Sequence, residues 1–156
     1  MLESRQKLTE EINGLLEAIR RLGSGRYACL LEPKGLLFES ADAGESGHWM
    51  LRRFLEQRNA ALFAIPEALA AGGPREDLFA DWDEDEFFLA FVNGRVALIV
   101  ACPEAEPLKE KAVKLLKALA YRLLRFNAAW RVDERGGGLF FGRPRLDVVV
   151  VGRARD

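Results

Sequence analysis

Residues able to carry chemistry are few in this chain, and their spacing is poor for most purposes. His48 is the single histidine, which excludes a paired-histidine metal site and a His-rich active centre. Cys29 and Cys102 lie far apart in apolar stretches, so they read as buried free thiols in a reducing cytosol. Thr9 is the only threonine, and serine occurs only at 4, 24, 40 and 46. Asp81, Asp83 and Asp85 have the D-x-D-x-D spacing of a calcium loop. Such a loop also needs glycine at its sixth place and a bidentate glutamate at its twelfth, where this chain has Glu86 and Val92. Neither GxxxxGK[ST] nor GxGxxG occurs. The run 136–138 is all glycine but has no following lysine or helix start to hold a phosphate. The expectation is a protein with no catalytic residue, no metal and no cofactor, which works by binding.

The composition narrows what it could bind. A length of 156 residues with 49% apolar content suits one globular domain with a full core. Lys and Arg number 23 against 24 Asp and Glu, so the basic excess of a nucleic-acid binder is missing. The longest apolar run, Val96 to Pro103, has eight residues, whereas a membrane-spanning helix needs roughly 20. The start, MLESRQKLTEE, has no apolar core of a secretory signal. A cytoplasmic location without membrane insertion is expected.

Spacing of apolar residues predicts the elements. Leu8, Ile12, Leu15, Leu16, Ile19 and Leu22 form one stripe of a helix over 2–22, ended by Gly23-Ser24-Gly25, where glycine accepts the left-handed conformation of a cap. Arg26–Glu32 and Leu36–Ser40 read as a hairpin turning at Pro33-Lys34-Gly35. Leu51, Phe54, Leu55, Leu62, Ile65 and Leu69 favour helix over 48–71, with Arg58 the one polar residue on the stripe. Pro66 kinks that helix or opens a new helical turn; a short strand at Ala61–Ile65 is the alternative. Glu86–Val92 and Arg95–Cys102 flank Asn93-Gly94, a strong hairpin signal. A helix follows from Pro107 to Phe126, and the tail suggests a last hairpin, Leu139–Phe141 with Leu146–Val151. The economical packing is an α+β fold, an antiparallel sheet with helices on both faces.

Two charged patches stand out. Residues 76–86 hold seven acidic side chains and no basic one, Asp81, Asp83 and Asp85 among them, and Lys111, Lys114 and Lys117 line one side of the last helix. Both are candidate partner surfaces.

In three blocks the chain resembles the roadblock/dynein light chain family, closest to the bacterial MglB-like partners of small Ras-like GTPases. These are the N-terminal helix leading into GRYACLLEPKGLLFES, the LEQRNAALFAIPEALAAGG helix, and EFFLAFVNGRVALIVACPEAEPLKEKAVKLL. The resemblance covers about residues 5–126. It implies a roadblock/profilin-like domain over 1–126, a C-terminal extension over 127–156, and a five-stranded sheet in the order 2-1-5-4-3. Its third strand would be the acidic 76–86 segment. It also implies a homodimer joined through the middle helix and third strand, and a surface that docks a Ras-like GTPase without a catalytic residue. On that helix the expected interface is Leu51, Phe54, Leu55, Arg58 and Leu62. Pro66, the acidity of 76–86 and the tail from 127 depart from the family's pattern. The runner-up is a GAF-type small-ligand sensor, which requires the strand at Ala61–Ile65.

Overall fold

A computed structural model describes residues 4–42, 48–66, 78–127 and 144–152. Helix α1, Arg5–Leu22, is capped by Ser4, whose side chain accepts a hydrogen bond from the Lys7 amide. At its other end Gly23 is not left-handed (φ −93°); Ser24 is, at 53°. Room is required two residues on, at Gly25, where a Cβ would lie 2.9 Å from the Ala101 carbonyl oxygen. Strands β1, Tyr27–Glu32, and β2, Gly35–Ala41, form the first hairpin.

Helix α2, His48–Gln57, breaks at Arg58 and resumes as the short α3, Asn59–Leu62. The alternative strand at Ala61–Ile65 does not form. The backbone turns at 63–64 and is helical again at Ile65 and Pro66, as a proline opening a new turn requires. Strands β3, Glu86–Val92, and β4, Val96–Cys102, form the second hairpin. Asn93 and Gly94 sit at φ 52° and 67°, and the Arg95 amide bonds back to the Val92 carbonyl. The expected last helix is divided at Ala112 (φ −96°, ψ 2°) into α4, Leu108–Lys111, and α5, Val113–Phe126. Strand β5, Leu146–Val151, ends the described chain.

The five strands make one antiparallel sheet in the order β2-β1-β4-β3-β5. The two hairpins meet through β1 and β4, as the expected order requires. The outer place beside β3 is the correction. It is taken by β5 in an unbroken ladder from Phe87↔Val151 to Val92↔Leu146, and not by the acidic segment. Asn93 fastens the new edge, its side chain accepting from the Arg145 amide at 2.7 Å. The physical reason lies in composition. Four consecutive β-branched valines suit a strand against Phe87 and Leu89, whereas a strand bearing seven carboxylates would repel itself along the edge. Residues 78–81 form a turn instead. The first strand of the expected last hairpin, Leu139–Phe141, lies outside the described residues.

Alternation along the strands splits the core in two. On one face Ala28, Leu30, Phe88, Leu98 and Val100 pack against α1, α4 and α5 through Ile12, Leu16, Leu108, Leu116 and Leu123. On the other, Tyr27, Cys29, Phe87, Leu89, Phe91 and Ile99 pack against α2, α3 and the 78–82 turn. Among the described residues no helix is long and apolar enough to cross a membrane.

Candidate interaction surfaces

Helix α2 has its expected apolar stripe, but the chain itself covers it. Leu51, Leu55 and Leu62 are fully buried, and Phe54 is nearly so. The Phe54 ring lies 5.1 Å from Trp82, 6.1 Å from Phe79 and 6.4 Å from Phe87, so it seats the 78–82 turn against the sheet. Arg58 closes that seat. Its guanidinium lies 3.7 Å over the Phe54 ring and donates to the carbonyls of Phe54 (2.9 Å) and Leu78 (3.0 Å). The five residues expected to face a partner thus face inward. The side of α2 and α3 turned to solvent carries Trp49 and Met50, 50% and 53% exposed, followed by exposed Arg53, Glu56, Ala60, Ala61 and Ala64. Adjacent large apolar residues after a glycine loop were the sequence signal for this face.

The three aspartates of the calcium-like spacing diverge. Asp81 is exposed and reaches Arg58 at 3.5 Å; Asp83 is exposed. Asp85 is buried and accepts from Arg26 Nη2 (2.7 Å), Arg26 Nε (3.1 Å) and Trp82 Nε1 (2.8 Å). It ties the start of β1 to the start of β3. Among the described residues no group of three His, Cys, Asp or Glu side chains could hold a metal ion.

A second polar group sits where β1, β2 and α2 meet. The Tyr27 hydroxyl donates to Glu39 at 2.8 Å, and the other Glu39 oxygen accepts from Arg52 at 2.8 Å. His48 stacks on the Tyr27 ring at 6.1 Å. Burial pushes the Tyr27 hydroxyl and the neighbouring Cys29 thiol far above their usual ranges, and it lifts Cys102 to about 12. Each therefore stays protonated at neutral pH and serves as a packing group, not as a nucleophile.

Helix α5 presents the basic face. Lys111, at the end of α4, and Lys114 and Lys117 are exposed as expected. Val113, Tyr121 and Arg125 are exposed beside them, at a spacing of four and eight residues that the sequence already contained. At the start of this face a cleft of about 210 Å³ is lined by Leu22, Pro103, Pro107, Leu108 and Lys111, among others. A wider cleft of about 600 Å³ lies between the two hairpin turns, bordered by Pro33, Lys34, Asn93, Gly94 and Asn127. Comparison with protein-family models, with curated proteins and with solved structures finds no match to this chain.

Proposed function

We propose that this chain is a cytoplasmic, homodimeric regulator or adaptor of the roadblock type, which docks a small Ras-like GTPase and contributes no catalytic residue of its own. The observation that carries the reading is the layering. Two hairpins join through β1 and β4, the first and last long helices cover one face of the sheet, and the middle helix covers the other. The resemblance implies the same order for the four strands of these hairpins, and it differs at the edge taken by β5.

The outer side of α2 and α3 supports the dimer. Large apolar Trp49 and Met50 stand at one end, small Ala60, Ala61 and Ala64 at the other, and Arg53 and Glu56 between them. Two copies meeting antiparallel about a two-fold axis set large against small, and they bring Arg53 of each copy opposite Glu56 of the other. The interface is therefore the face opposite to the one expected from the stripe of Leu51, Phe54, Leu55 and Leu62.

Light scattering tests this. The intact chain should give twice its 17.5 kDa. Trp49→Glu should give folded monomers, while Phe54→Glu should lose the fold by burying a charge. A monomeric wild type at tens of micromolar overturns the dimer. For the switch, a Ras-like GTPase of the same cell is titrated in its GTP-analogue and GDP forms. Only differential affinity lets a binder shift a two-state partner, so equal affinity removes the regulatory reading.

A further inference from the structure

Helix α5 bears Lys114, Lys117, Arg122 and Arg125 and no acidic residue. Arg122 turns toward α1, where it meets Glu11 at 2.9 Å. The other three face solvent together with Val113 and Tyr121, which are 38% and 42% exposed. At about 100° per residue these five side chains fall within an arc of about 120°, along about 18 Å of helix. Like charges at such spacings weaken a helix, and no carboxylate on α5 offsets them. Where the row begins, Lys111 borders the cleft lined by Leu22, Pro103, Pro107 and Leu108 together with Glu104.

We infer that the outer face of α5 docks an acidic amphipathic segment of a protein partner. Its carboxylates lie on Lys111, Lys114 and Lys117, and its apolar side rests on Val113 and Tyr121. One apolar side chain enters the cleft beside Leu22 and Leu108.

Charge complementarity selects the anionic partner, and the width of the row selects a single segment over a plane. Exposed Glu104, Glu106 and Glu110 flank the row at one end, and exposed Glu10 lies on neighbouring α1. A lipid surface or a nucleic-acid duplex laid on this layer brings those carboxylates within a Debye length of about 8 Å. A helix about 10 Å across covers the basic row and meets fewer of those carboxylates, Glu104 at the cleft among them. This docking is independent of the proposed dimer, because α5 and α2 lie on opposite faces of the sheet.

The probe is a labelled, capped peptide of about 18 residues with leucine on one helical face and glutamate elsewhere, titrated by fluorescence anisotropy against the full chain. Binding below about 100 μM at low salt is expected, loosening about tenfold on raising salt from about 50 to 300 mM. Lys114→Glu with Lys117→Glu should weaken it about tenfold or more, and Tyr121→Ser about threefold. All these side chains but Tyr121 are charged surface groups, and thermal melts check that each variant stays folded. Equal binding by the doubly reversed variant, or equal binding of a peptide with glutamine for glutamate, overturns the proposal. So does tighter binding of phosphatidylserine vesicles or of a single-stranded oligonucleotide with the same loss on reversal, which makes the row a lipid or nucleic-acid surface.

Discussion

Removing the carboxylate of Asp85 should be among the most damaging single polar changes in the described structure. Asp85→Ala takes away the acceptor of four hydrogen-bond contacts at 2.7–3.2 Å, three from Arg26, whose Nε is shared between the two oxygens, and one from the Trp82 indole. Asp85 is 6% exposed. Taking one partner from a buried ion pair costs roughly 3–5 kcal/mol, because the other charge is left desolvated. Here the Arg26 side chain keeps 24% of its exposure and has Glu84 within 3.9 Å, which places the cost near the lower end. The orphaned indole N–H accounts for about 1 kcal/mol of it. The expected loss is about 3 kcal/mol, which at this chain length lowers Tm by about 6–12 °C. Asp85→Asn keeps the shape and one acceptor and should cost about half as much. Urea unfolding followed by circular dichroism is the assay, since three tryptophans complicate a fluorescence readout. A loss under about 1 kcal/mol for Asp85→Ala, the range of an exposed pair, would refute the claim that this carboxylate joins β1 to β3.

Two further outcomes follow, one from burial and one from an exposed position. The folded state holds protons on Cys29, Cys102 and Tyr27 at pH values where the unfolded chain releases them. Stability should therefore be full below about pH 8.5 and should fall as pH rises from there toward 12; a Tm that stays flat to pH 10.5 contradicts this. Gly14 sits inside α1 with nothing within 4 Å of where a Cβ would stand, so Gly14→Ala should stabilise by about 0.5–1 kcal/mol in urea titrations, and a loss of stability would show an unrecognised contact.

The strands were legible where local chemistry was decisive. Asn93-Gly94 between two apolar runs specifies its own turn, and both residues take the positive φ that turn needs. The stripe of α1 needed only its period. What failed was the inference from apolar periodicity to exposure. Leu51, Phe54, Leu55 and Leu62 mark one side of α2, but period alone does not say whether a sheet or a second molecule covers that side. The sheet does, because Phe79 and Trp82 fold over from the acidic segment to complete the layer. Those two aromatics among seven carboxylates were the available signal. They anchor the segment as a turn, leave Asp81 and Asp83 outside, and draw Asp85 in to Arg26.

The edge of the sheet shows the same limit at longer range. A run of four valines identifies a strand but not its neighbour, and Val148–Val151 lies far in sequence from the β3 residues it pairs with. Its pairing changes what the surface can do. In the family that the sequence resembles, the third strand and the middle helix together join two copies. Here β5 occupies the outer edge of β3 and satisfies its backbone groups, so that edge offers no ladder to a second molecule. Among the described residues β5 is the outermost strand on that side, and Arg145 and Asp147 pair at 3.1 Å beside its first residues. Charges at a strand's end discourage further pairing. The proposed dimer therefore uses the solvent side of α2 and α3 in place of the β3 edge, and Trp49 is the residue at which its test is made.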